Sequence, residues 1–279
     1  MVSMVKITIL KVGYIGTTTL IDALLDERAN RKNLSVRVVS SGCKMGEEEA
    51  VEVANIAASI PSDLYIVVSP NASMSGPTKA RTIIQEKTGK PIIVVSDEPS
   101  RKTLRALPEG MGYIVIYADP MIGAKRDLLD PVEMALFNSD VIKVLAITGV
   151  LRLIHTEIDK VIKQIQDGEE LTLPRVVVTK KRALAHSGLE NPYAYAKAMA
   201  SFESARRVAA LSTEGTYRAE GKENFLPIVA AAHESIRYAA RLADEAREME
   251  KANDSVKRVA HLRSGELRSK SKLFDKYTK

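Results

Sequence analysis

"VKITILKVGYIGTTTLID", Val5 to Asp22, is the stretch that sets the fold. An apolar, β-branched run leads into Gly13-x-x-Gly16, and "TTTLIDALLDER" then places Leu20, Leu24 and Leu25 on one side of a helix. Four further runs of the same kind follow: "SVRVVSS" from Ser35, "LYIVVSP" from Leu64, "PIIVVSD" from Pro91 and "GYIVIYAD" from Gly112. Runs this short and this apolar read as strands buried on both faces. The segments between them read as helices. "GEEEAVEVANIAASI" carries three glutamates in its first turn, where the helix dipole favours them. "SGPTKARTIIQEKTG" has Pro77 near its start and Gly89 at its end. Strand and helix alternating at this spacing imply an α/β fold: a parallel, doubly wound, Rossmann-like sheet over residues 1–130, with a ligand cleft at the carboxyl ends of the strands.

From Pro131 the pattern changes, and residues 131–279 read as a mostly helical oligomerisation part. "DVIKVLAITGVLRLIHTEIDKVIKQI", Asp140 to Ile165, is apolar in almost every direction, so a helix there is buried all round. In a chain this size, burial of so long a helix calls for a second subunit. "LTLPRVVVTKKRAL" is a short β segment near 171–180, and two Ala-rich helices follow from Pro192. The basic tail "RSGELRSKSKLFDKYTK" reads as a peripheral helix or a frayed end.

Bulk composition excludes several classes. The chain has 279 residues, 45% apolar and 27% charged, which suits a globular protein with a sizeable core. Trp is absent, so aliphatic side chains fill that core. A single cysteine, Cys43, excludes an intrachain disulfide and a thiolate metal site, in keeping with a reducing cytoplasm. "MVSMVKITIL" starts a strand and carries no signal-peptide pattern, and no apolar run approaches the roughly 18 residues of a membrane span. A formal net charge of +6 is too mild to announce nucleic acid, although it would draw small polyanions to a basic cleft.

The Gly13–Gly16 turn would let backbone approach a ligand, with the N–H groups around Thr17 and Thr18 facing an anion. The plainer reading is a tight turn with Thr17 as N-cap. A dinucleotide fingerprint needs a third glycine where Lys11 stands, and an acidic residue after the second strand; "VVSSGCKMG" offers Ser40, Ser41 and Lys44 and no carboxylate before Glu47. NAD is therefore disfavoured, and NADP stays open. The other strand ends, "SPNASMSGP", "SDEPSRK" and "ADPMIGAKRD", bring Ser69, Asn71, Ser96, Asp97, Asp119, Pro120, Lys125 and Arg126 to the expected cleft, each of which could equally be a turn residue. His155 shares a helix face with Thr148 and Arg152, while His186, His233 and His261 stand isolated, so no metal is expected. With no Gly-x-Ser-x-Gly and no Walker A loop, an enzyme here would rely on cofactor chemistry.

"VKITILKVGYIGTTTLIDALLDERANRKNLSVRVVSSGCKMGEEE", "SPNASMSGPTKAR", "YADPMIGAKRDLLDPVEMALFNSDVIKVLAITGVLR" and "HSGLENPYAYAKAMASFESARRVAALSTEGTYR" closely resemble the coenzyme F420-dependent methylenetetrahydromethanopterin dehydrogenases of methanogenic archaea. The resemblance implies reversible oxidation of methylene- to methenyl-tetrahydromethanopterin on the one-carbon route to methane, with hydride passing to F420, a deazaflavin that binds as a dissociable cosubstrate. It implies no metal and no flavin, an α/β domain with a helical bundle and a small β segment, and a hexamer built as a trimer of dimers. In that chemistry the donor carbon lies between two nitrogens that stabilise the cation, so no acid–base residue is required; the protein aligns two rings and excludes water. On the sequence reading, Lys11, Gly13, Gly16, Thr17, Ser40, Ser41, Lys44, Ser69 and Asn71 are expected at F420. Ser96, Asp97, Asp119, Pro120, Lys125 and Arg126 are expected at the pterin, with Asp119 accepting its amide–amine edge unless it only caps the next turn. An NADP-dependent oxidoreductase and a non-catalytic α/β binding oligomer are the competing readings.

Overall fold

The computed structural model describes residues 4–25, 31–123, 125 and 127–278. The five expected strands form as β1 (Val5–Lys11), β2 (Leu34–Ser40), β3 (Leu64–Ser69), β4 (Ile92–Asp97) and β5 (Met111–Ile116). They pair in parallel in the order β2-β1-β3-β4-β5, so strand order reverses beside β1. Every residue of β3, β4 and β5 is buried, which is why those runs are unbroken apolar rather than alternating. The connections are α1 (Gly16–Leu25), α2 (Glu47–Ser59), α3 (Ser75–Thr88) and the single turn α4 (Arg101–Leu104). The acidic first turn of α2 also docks α3, through an ion pair of Glu47 with Lys79.

The chain does not leave the sheet at residue 130. After α5 (Pro131–Ile147) and α6 (Val150–Asp167), the short β segment returns as β6 (Arg175–Val178) and pairs in parallel with β5, from Tyr113 opposite Arg175 to Ile116 opposite Val178. It is the sixth strand of the large sheet rather than a separate unit. The single helix expected over Asp140–Ile165 is two helices, bent by 67°. The break is Gly149, at φ 93°, where an added Cβ would run into the carbonyl oxygen of Ala183. The bend accounts for the all-round apolar pattern within one chain, because α5 and α6 turn different faces to α1 and to the helices that follow. Leu151 and Ile147 are half-buried there, Leu151 on the main core and Ile147 against Leu184 and Ala194.

After α7 (Lys180–Ala185), α8 (Pro192–Tyr217) and α9 (Lys222–Ala252) pair along a seam of buried alanines, among them Ala198, Ala205, Ala239 and Ala243, whose small side chains allow close approach. Asn191 caps α8 on the N–H groups of Tyr193 and Ala194. The basic tail is neither helix nor frayed end: β7 (Arg258–His261) and β8 (Leu267–Lys270) make an antiparallel hairpin.

Candidate active site at the carboxyl edge of the sheet

The β1–α1 turn is filled from within. Gly13 lies at φ 85°, and a Cβ on it would come 2.5 Å from Met45 Cγ and 3.0 Å from Pro70 Cδ. The first N–H groups of α1 face a carboxylate supplied by the chain itself. Gly16 N–H donates to Asp119 Oδ1 at 2.7 Å and Thr17 N–H donates to Oδ2 at 3.0 Å. The anion that a helix N-terminus attracts is Asp119. The Gly16 and Thr17 N–H groups are thereby met within the chain, and Asp119, fully buried, caps α1 rather than its own turn. Burial raises the Asp119 carboxyl to about 6, against the downward pull of the Thr17 side chain and the two N–H groups.

The neighbouring loops are pinned by hydroxyls. Ser41 Oγ accepts from Gly13 N–H at 3.3 Å and donates to the Lys44 carbonyl at 2.6 Å, while Ser40 Oγ accepts from Gly42 N–H at 3.0 Å. These serines shape the β2–α2 turn. Lys11 Nζ sits 2.5 Å from Asp22 in an ion pair. Lys44 pairs with Glu49 at 2.9 Å and remains largely exposed. Under the β3–α3 loop, Ser96 Oγ donates to the Ser69 carbonyl at 2.7 Å, and Ala72 N–H donates to Ser96 and Ser100 at 3.1 and 2.7 Å. The buried Ser69 and Ser96 support the loop.

What these supports hold is a cavity of about 330 Å³ at the ends of β3, β4 and β5, closed by α8. Met45, Met74 and Met121 with Pro70 and Pro99 make apolar walls, flat at the prolines and adaptable at the thioethers. Asn71 and Asp97 supply polar groups from the strand ends, and Ser212, Thr213 and Tyr217 supply them from α8. Burial pushes the Asp97 carboxyl well above the usual range, opposed by the Glu98 N–H and reinforced by the charge of Asp119. The Ser212 hydroxyl is buried with no hydrogen-bond partner. A larger cavity, about 570 Å³, lies between α6 and the hairpin. Position decides between them, since ligands of open α/β sheets lie at the strands' carboxyl edge.

Of the residues expected from sequence, Asn71 and Asp97 line the cavity. Pro120 is buried beside it in sequence, Lys125 Nζ lies 4.5 Å over the Phe225 ring, and Arg126 falls outside the described residues. The three methionines stand in the loops after β2, β3 and β5, where the sequence displays them; Ser212 was not legible, because no local motif marks it. A second group was also missed. His155 and Asp159, one turn apart on α6, meet His261 of β7.

The chain matches the family model described as methylene-5,6,7,8-tetrahydromethanopterin dehydrogenase over residues 5–278. It is 50% identical over 273 residues to the F420-dependent methylenetetrahydromethanopterin dehydrogenase of Archaeoglobus fulgidus, covering 98% of each chain. It is 47% identical over 274 residues to the enzyme of the same name from Methanococcus maripaludis, covering 98% of this chain and 99% of that one. A solved F420-dependent methylene-tetrahydromethanopterin dehydrogenase, in complex with methylene-tetrahydromethanopterin and coenzyme F420, is 40% identical, covers 99% of this chain and 100% of its own, and superposes with a TM-score of 0.93. The fold, the cavity at the strand ends and these matches agree: the chain belongs to the methylene-5,6,7,8-tetrahydromethanopterin dehydrogenase family.

Proposed function

We propose that this protein transfers a hydride reversibly between methylene-tetrahydromethanopterin and coenzyme F420, giving methenyl-tetrahydromethanopterin and reduced F420. The observation that carries this is the 40% identical solved structure, which holds both molecules on a fold shared over 99% of this chain. The methionine- and proline-walled cavity fits a flat heterocycle, and the unpartnered Ser212 hydroxyl fits a polar group on its edge. F420 supplies the ring carbon that accepts the hydride. The chain supplies alignment and dryness: Met45, Met74 and Met121 exclude water, while Asn71, Asp97 and Ser212 fix orientation. Lys44, largely exposed although paired with Glu49, and Lys125 supply positive charge to attract the anionic tail, so F420 affinity should fall as salt rises.

The protein is further proposed to work in the cytoplasm as a homo-oligomer, a hexamer in this reading, without nucleic acid or membrane. Among the described residues no single helix is long and apolar enough to cross a bilayer. Exposed Val132, Leu136, Tyr193 and Tyr238 supply apolar contact area for other subunits.

The test mixes purified protein with methylene-tetrahydromethanopterin and oxidised F420 and follows loss of the deazaflavin's visible absorbance. Bleaching with F420 and no reaction with NADP is expected. Reaction with NADP alone would install the NADP reading, and no reaction with either would leave a binding protein.

A further inference from the structure

We infer that His155, Asp159 and His261 form a site for a divalent transition metal of the zinc class, cross-linking the C-terminal hairpin to α6. The geometry is that of one face of a coordination shell. His155 Nε2 and His261 Nε2 are 3.2 Å apart, and Asp159 Oδ2 lies 2.9 Å from His261 Nε2 and 3.2 Å from His155 Nε2. Metal–ligand bonds of about 2.0–2.1 Å set ligands roughly 2.8–3.4 Å apart in octahedral or tetrahedral arrangements, and all three edges fall within that range. The imidazoles meet edge-on, with centroids 4.4 Å apart and planes at 62°, so their Nε2 corners converge instead of their faces stacking.

Protons alone serve this triangle poorly. Even with both Nε2–H groups donating to Asp159, the 3.2 Å His155–His261 edge holds no hydrogen bond. A cation above the plane is equidistant from all three donors. Two imidazoles and one carboxylate suit zinc-class ions better than calcium or magnesium, which prefer oxygen donors throughout. His261 is fully buried, whereas His155 and Asp159 also line the larger cavity, so a fourth position is open to water. Arg152, Arg247, Lys257 and Arg258 line that cavity too and oppose a cation. Two of them are turned to backbone: Arg152 donates to the carbonyls of Ser187 and Lys257, and Arg258 to those of Val256 and Ser271. Their charge would favour an anion in the fourth position.

The role is structural. The triad lies between α6 and β7, apart from the strand-end cavity, and hydride transfer does not use it. A two-stranded hairpin is marginal alone, and a bond from His261 to residues more than 100 positions earlier in the chain would anchor it.

The test uses the whole protein after dialysis against a chelator. Addition of Zn²⁺ should give one metal per chain by elemental analysis, raise the melting temperature and slow amide exchange in 258–270. Co²⁺ should give visible d–d bands from a nitrogen–oxygen site. His261→Ala and Asp159→Asn should weaken Zn²⁺ binding by on the order of a hundredfold, with His155→Gln as the substitute should either fail to fold. Zn²⁺ that leaves the wild-type melting temperature and exchange unchanged overturns the inference without recourse to any variant. So does equal Zn²⁺ affinity in a folded His261→Ala protein.

Discussion

Asp119 shows how one side chain settles two questions at once. Its carboxylate occupies the positive end of α1, meeting the Gly16 and Thr17 N–H groups, and its burial makes its charge expensive. Asp119→Ala strands two buried N–H groups, at about 2–4 kcal/mol together, so urea unfolding should register that loss. The pH dependence has a definite sign. The carboxyl titrates at the ordinary value of 3.8 in the unfolded chain and at about 6 in the fold. Between those values the fold holds a proton that the unfolded chain has released, so the stability contribution is fully present below the lower value and declines as pH rises through the higher. Relative to Asp119→Asn, wild type should lose on the order of 3 kcal/mol from pH 4 to pH 7, measured as unfolding midpoints of both proteins across that range. A flat difference would place the charge in a better-solvated setting. Ser212 makes the opposite case. Its buried hydroxyl satisfies nothing within the protein, so Ser212→Val should leave melting unchanged or raise it. If that hydroxyl meets a ligand, the Michaelis constant of one of the two substrates should rise roughly five- to tenfold, the worth of about 1–1.5 kcal/mol. An unchanged pair of Michaelis constants would turn attention to Asn71 and Asp97.

At the scale of elements, the bend at Gly149 is the feature least tolerant of change. Its φ of 93° and its approach to the Ala183 carbonyl exclude a side chain. Gly149→Ala should cost about 3 kcal/mol or more, seen as a large fall in melting temperature; a variant that melts like wild type would show that α5 and α6 can adjust at the joint. This bend also marks where sequence stops being informative. Strands β1 to β5 are legible because burial on both faces demands contiguous apolar residues. A glycine in an apolar helix leaves the periodicity intact, and only the approach of α7 reveals the break. The β6 run is legible as a strand, whereas its partner is not, since pairing is decided by where α5 and α6 return the chain. The hairpin strands are short and basic, and their pattern gives no apolar face to read. The candidate site divides in the same way: Asn71 and Asp97 follow from the rule of strand ends, while the contribution of α8 depends on packing between distant segments. The i, i+4 pair of His155 and Asp159 stands in the sequence, but His261 lies 106 residues from His155.

For the whole molecule, Ile147 and Leu151 are unsuitable probes of assembly, because both already pack within the chain. Val132 and Leu136, four apart on α5, and Tyr238 on α9 are exposed instead. Leu136→Glu and Tyr238→Glu should shift sedimentation toward a smaller particle while leaving helix content intact; an undisturbed particle in both would move the interface elsewhere. The sheet itself joins distant stretches of chain, with β6 closing on β5 and Asp119 closing on Gly16 across 103 residues. On a ribosome this has a temporal meaning. The nascent chain displays β1 and α1 early, yet α1 stays uncapped until Asp119 has emerged, and β5 keeps a bare edge until Val178 has followed. Truncation at residue 130 should therefore yield an aggregation-prone fragment, and the early chain would be a natural client for a chaperone that shields unpaired strands until translation supplies the sixth.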